Sequence, residues 1–198
     1  MTATLDHLRD TLCGPDEAYR KKQLHPVPDA PVVDRAAFIL GRCKGKVVLD
    51  VGASGPMHEA IVRVAAKCYG IDREHRSDVL AVDLDDYRSE LPQLPDVQLV
   101  VCGEVVEHLG NPAQFLQRLR TAHNCPVIIT VPNAFGDGGR KSLERGVENC
   151  NLDHVAWYSH RTIKTLLERA GYGITEFCWY GSKGQRPKFS EGMIVVAR

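Results

Sequence analysis

The stretch that most constrains this chain is VVLDVGASG at 47–55, an apolar run that ends on Asp50 and enters a turn carrying Gly52 and Gly55. Its length and β-branched content are those of a buried strand. The glycines after it let backbone pass close to a ligand, because no Cβ stands in the way. Strand, glycine turn and helix in that order open an α/β layer fold, and the rest of the chain keeps the alternation. Apolar runs at 68–71, 79–82, 97–102 and 127–131 read as further strands, and stretches at 33–40, 57–67, 112–122 and 160–170 read as helices. Asn111 followed by Pro112 marks one helix start, while Ser159 and Gly171 bracket the last helix. The ending breaks the pattern. ITEFCWY at 174–180 and MIVVA at 193–197 are joined only by a polar segment, which predicts an antiparallel pair.

Composition narrows the class of function. With 25 basic against 25 acidic residues, and no long basic block, attraction of a polyanion by charge alone is not expected. The seven cysteines are odd in number and contain no CxxC, so they predict reduced, mostly buried thiols instead of a disulfide framework or a zinc site. No apolar run reaches the ~18 residues of a membrane span, and MTATLDHLRD lacks the order of a signal peptide, so the expected location is cytoplasmic. Residues 1–30 read as an arm or lid, with Leu5, Leu8 and Leu12 on one face and PVPDAP at 26–31 as a breaker; residues 31–198 read as the single domain.

Three carboxylates fall at successive strand ends: Asp50, then Asp72 closing YGID, then Asp83 closing VLAVD. A dinucleotide site would place Gly-x-Gly-x-x-Gly in the first turn, but Ser54 occupies the second glycine position and Asp50 sits where a pyrophosphate would be repelled. Asp72 is spaced to accept hydrogen bonds from ribose hydroxyls, and Asp83 beside Leu84 to receive an adenine amino group. In these motifs, and in VVCGEVVEHL at 100–109, the chain resembles the class I S-adenosylmethionine-dependent methyltransferases over about residues 36–197. Together with EHLGNP, VPNAFGDGG and DHVAWYS, the pattern is similar to the subgroup containing ubiquinone-pathway O-methyltransferases and natural-product or glycan-cluster enzymes. It departs from the family at Ser54, Pro56 and Gln98.

The resemblance implies a Rossmann-like, doubly wound, seven-stranded sheet of order 3-2-1-4-5-7-6, mostly parallel, with an antiparallel C-terminal pair. It implies S-adenosyl-L-methionine as cofactor, held by Asp50, Gly52, Ala53, Gly55, Asp72, Arg73, Asp83, Leu84, Gly103 and Glu104. Methyl transfer to an oxygen of a small molecule or glycan is the expected reaction, with His154 as first and His108 as second candidate base, and Glu107 beside them. Nucleic acid is not the expected acceptor. Glu104, Glu107, His108 and His154 also match the magnesium pattern of Hen1-type RNA 2′-O-methyltransferases. Two carboxylates and two imidazoles supply few oxygens for magnesium, however, so the expectation is no tightly bound metal, activity that survives EDTA, and Glu107 and His108 hydrogen-bonded to backbone and substrate. Two rival classes remain: an NAD-binding enzyme and a catalytically inactive binding protein of the same fold.

Overall fold

The computed structural model describes residues 25–88, 90–182 and 186–198. The leucines of the expected N-terminal arm lie outside them. One mixed sheet runs in the order β1-β7-β8-β6-β5-β2-β3-β4. Its strands are β1 (Val32–Val33), β2 (Val47–Val51), β3 (Lys67–Asp72), β4 (Val79–Ala81), β5 (Leu99–Gly103), β6 (Val127–Pro132), β7 (Ile174–Tyr180) and β8 (Gly192–Ala197). The seven expected strands are all present and in the expected order. The eighth, β1, adds a two-residue parallel edge on β7, with Val32 opposite Trp179 and Val33 opposite Tyr180. It is too short to show a period in the sequence. Only β8 runs against its neighbours, antiparallel to both β6 and β7.

Helices α1 (Arg35–Cys43), α2 (Gly55–Val64), α3 (Pro112–Ala122), α4 (Asp137–Leu143) and α5 (His160–Arg169) cover the sheet. Along β6, Val127, Ile129 and Val131 belong to the cluster that includes Phe115, Leu116 and Leu119 of α3 and Ile163 and Leu167 of α5. Ile128 belongs to the opposite cluster, with Phe38 and Ile39 of α1 and Ile61 of α2. Side chains alternate across a strand, so an unbroken apolar run is what burial on both faces requires.

Helix ends follow local chemistry. Asp34 caps α1 through Ala37 N at 2.7 Å, Asn111 caps α3 through Gln114 N at 3.2 Å, and Ser159 and Thr162 form a reciprocal capping box on α5. Two boundaries differ from the sequence reading. Helix α1 continues through Gly41 to Cys43, and α2 ends at Val64 because Ala66 N turns to Lys46 O to start the pairing of β3 with β2. Helix α4 was not expected from DGGRKSL, whose glycines are poor helix formers. Arg140 supports it by bridging Asp137 at 3.1 Å and Glu144 at 3.2 Å. The described cysteines are all free, and no described helix is long and apolar enough to cross a membrane.

Candidate active site

The C-terminal ends of β2 to β5 open on one crevice of about 940 Å3. It lies where the sheet order reverses, β3 and β4 extending to one side of β2 and β5 to the other, which is where open α/β sheets bind ligands. The turn after β2 approaches the loop after β5 closely. Gly52 has φ +70°, and a Cβ there would stand 2.7 Å from Val105 Cγ2. Of the residues expected at a cofactor site, Asp50, Gly52, Asp72, Arg73, Asp83, Leu84, Gly103 and Glu104 line this crevice. Ala53 and Gly55 are not on its wall: Ala53 is fully buried with its carbonyl taken by Arg76, and Gly55 opens α2.

The carboxylates differ in availability. Asp50 is 5% exposed and accepts from His58 Nδ1 at 2.8 Å, while His58 Nε2 lies 3.5 Å from Asp78. Burial pushes the Asp50 carboxyl up against the opposing pull of His58, and the same hydrogen bond raises the His58 imidazole. Asp50 therefore shapes the crevice from below, already paired. Asp72 accepts from Glu74 N at 3.1 Å and lies 3.5 Å from Arg76. Asp83 is exposed and takes only the local Asp85 N–H, which leaves most of its lone pairs for a ligand. Asp85 accepts from Gly110 N and Asn111 N, fastening the loop after β4 to the start of α3.

Glu104, just past β5, holds a left-handed backbone at φ +57°, which a non-glycine residue rarely adopts. Its surroundings over-determine it. The backbone N–H donates to Thr130 O at 3.0 Å, and the Oε1 atom accepts from Thr130 Oγ1 at 2.8 Å and Tyr180 OH at 2.9 Å, with Arg35 at 3.3 Å. Tyr180 reaches it because residue 192 is glycine; a Cβ there would fall inside the Tyr180 ring. Strain of this kind, held by several partners, is concentrated at functional sites.

Past Glu104 a single 3-10 turn (Val106–His108) drops Glu107 into the interior and leaves His108 on the crevice wall. His154 arrives from the segment 153–158, which the Glu107 carbonyl anchors by accepting from Val155 N and Ala156 N. The two imidazoles meet edge to face at 4.6 Å, and one ligand atom from each of Glu107, His108 and His154 lies within 4.8 Å of the others. The expected backbone hydrogen bonds to Glu107 are not made. Its own N–H and then the Arg35 charge favour the charged form, but among the described residues neither buried oxygen has a well-formed partner; His154 Nδ1 is likewise buried and unpaired. Burial, then the nearby Glu104 charge, pushes Glu107 up to about 8. Burial, then His108, lowers His154, so at neutral pH its imidazole is the free base.

A methyltransferase-domain family model matches residues 22–176, most of the chain and every element that builds the crevice. The chain belongs to that family. It is an S-adenosylmethionine-dependent methyltransferase domain. A search of curated protein sequences finds no match. Among solved structures, the methyltransferase is similar in fold to the small RNA methyltransferase HEN1 (TM-score 0.65, 16% identity), covering 88% of this chain but only 27% of that one. It is similar over nearly full length to an S-adenosylmethionine-dependent methyltransferase from Clostridium acetobutylicum (0.60, 10%, 98% of this chain and 96% of that one). It is also similar to 1,6-didemethyltoxoflavin-N1-methyltransferase from Burkholderia thailandensis (0.58, 13%, 100% and 91%). The neighbours' acceptors range from RNA to small molecules, and the ubiquinone-pathway subgroup is not singled out among them.

Sequence reasoning missed four ionisable residues of the crevice wall: Arg35, His58, Asp85 and Asp153. Of these, only Asp153, adjacent to His154, carries a signal in its motif. Arg35 and His58 look like ordinary polar positions of amphipathic helices until those helices are docked on the sheet.

Proposed function

We propose that this methyltransferase acts on a hydroxyl oxygen of a small molecule or glycan, with His154 and His108 at the acceptor and Gly52, Asp72 and Asp83 at the donor. The observation that supports it is the imidazole pair, one member of which lies on the crevice wall and the other of which is held as free base. S-adenosylmethionine supplies a methyl group already activated by the sulfonium charge, so the protein's tasks are alignment and removal of one proton. With the cofactor bound there, His154 would take the hydroxyl proton as the methyl passes to the acceptor oxygen and the C–S bonding pair is left on sulfur. The strained Glu104 and its Arg35, Tyr180 and Thr130 partners give the methionine end a wall of fixed charge. Asp72 and Asp83 suit the ribose and adenine edges.

Replacing Asp72 by Ala removes an acceptor that lines the crevice and frees Arg76. Cofactor affinity should fall about 10- to 100-fold, roughly 1 to 3 kcal/mol. Calorimetric titration with S-adenosylmethionine reads this directly. The same titration with NAD should show no binding, and binding of NAD alone would move the protein to the rival class.

A second reading is favoured by one specific observation, the unpaired Glu107 oxygens beside two imidazoles. Buried polar atoms without partners are costly, and a divalent cation would satisfy them. Glu107, His108 and His154, whose ligand atoms cluster, would hold it; Glu104 is not in that cluster, and its Oε1 atom is turned to Thr130, Tyr180 and Arg35. Two imidazoles and one carboxylate suit manganese, cobalt or zinc better than magnesium, which prefers all-oxygen shells. Bound there, the cation would polarise adjacent hydroxyls of a vicinal diol. On the first reading turnover survives EDTA. Loss of turnover in EDTA, restored by manganese or cobalt and confined to vicinal diols, would establish the second.

A further inference from the structure

A second cavity, of about 590 Å3, opens between the segment after β6, the first turn of α5 and the chain ahead of β1. Its wall has a different chemistry from that of the cofactor crevice. The crevice is lined by Asp50, Asp72, Asp83, Asp85, Glu104 and Asp153. The second cavity is lined by Arg161 and Lys188, by His25 and His160, and, among the described residues, by no carboxylate. Among the described residues neither Arg161 nor Lys188 has an acidic partner; the ion pairs of this half of the chain involve Arg140 and Lys164. Arg186 adds a third cation close by, since it and Lys188 both lie over the Phe189 ring, at 4.4 and 5.5 Å. Two exposed cations lining one cavity, without an acidic partner among the described residues, call for an anion, and Phe135, 60% exposed at the rim, offers a flat apolar face beside it.

The cavity is tied to the reaction centre by one strip of chain. Segment 153–158 is pinned to the Glu107 carbonyl on one side, and Tyr158 O accepts from Ala134 N at 2.8 Å on the other. His154 thus stands at the catalytic end of the strip, and Ser159 to Arg161 at the cavity end. Even fully extended, the five steps from His154 to Ser159 span at most roughly 18 Å. An acceptor that touches both ends has to bridge no more than that.

We propose that this cavity is an acceptor subsite for a phosphate group, with Arg161 and Lys188 as its counter-charges, and hence that the acceptor is a small phosphate ester carrying the hydroxyl to be methylated. The inference rests on the hydroxyl-methylation reading for the second half of that statement, but the anion site stands or falls by itself. A cavity lined by two cations, in a chain of zero net formal charge, suits one phosphate or diphosphate; a nucleic-acid backbone is tracked by a continuous basic strip.

The test uses the full chain and pyrophosphate as the probe. Calorimetry or phosphorus NMR should show saturable pyrophosphate binding that weakens at least tenfold in the Arg161→Gln/Lys188→Gln double variant, while S-adenosylmethionine affinity stays within twofold. No binding, or equal binding by the double variant, would overturn the site. Turnover is then compared on matched pairs, ribose 5-phosphate against ribose and adenosine 5′-monophosphate against adenosine. At least tenfold higher kcat/KM for the phosphorylated member, lost in the double variant, supports the acceptor class. Methylation of a short RNA with a steep salt dependence, and of none of the small esters, would overturn it. Pyrophosphate binding with no hydroxyl methylated at all would sink the hydroxyl reading and leave the anion site in place.

Discussion

His154→Ala is expected to lower turnover by about 10²- to 10⁴-fold, the range that loss of a positioned base produces, with S-adenosylmethionine affinity nearly unchanged. The split follows from geometry. His154 is not on the crevice wall; it touches His108, which is, so its removal leaves the donor's surroundings intact. In the wild type, kcat should rise with pH through a value below the ordinary imidazole range, because burial and the neighbouring His108 both disfavour the charged ring, and should be flat near neutrality. His154→Gln keeps a polar side chain of similar reach but cannot take the proton, so it should share the loss. Unchanged turnover in both variants would remove His154 from the chemistry.

What could be read from the sequence divides along a physical line. The two-sided core was readable because β5 and β6 are nearly continuous apolar runs, as burial on both faces requires, whereas the strand order was what the family resemblance implied. The crevice was readable because its carboxylates sit at strand ends, where local pattern fixes position. The two wall residues that come from helices, Arg35 and His58, were not. His58 is a polar residue in α2 until docking places it 2.8 Å from a buried aspartate, and Arg35 is a helix start until Tyr180 and Glu104 converge on it from β7 and the end of β5. The left-handed Glu104 has no signature either; it is imposed by contacts from Thr130 and Tyr180, 26 and 76 residues away. Helix α4 escaped notice for the opposite reason, since its own propensity argues against it and an arginine bridging two acids supplies the support.

Glu107 should make folding stability fall as pH rises. Burial pushes its carboxyl up to about 8 in the folded protein from an ordinary value of 4.5, so between those values the folded state holds a proton that the unfolded chain has released. Stability is then fully present below about 4.5 and declines up to about 8, with a slope approaching 1.4 kcal/mol per pH unit and a total near 5 kcal/mol. Chemical denaturation of metal-free protein across that range measures it. Glu107→Gln removes the titrating group at nearly constant volume, so the variant should match the wild type near pH 5 and exceed it by several kcal/mol near pH 8. Every other ionisable group is common to the two proteins, so the difference between the two curves isolates Glu107. A cation in the cluster reverses the sign. It binds the carboxylate and not the acid, so manganese would raise the midpoint of unfolding more at pH 8 than at pH 6, and only in the wild type. Equal slopes for wild type and variant would show that the Glu107 carboxylate finds a partner in solution, which removes both the stability cost and the main observation in favour of a cation.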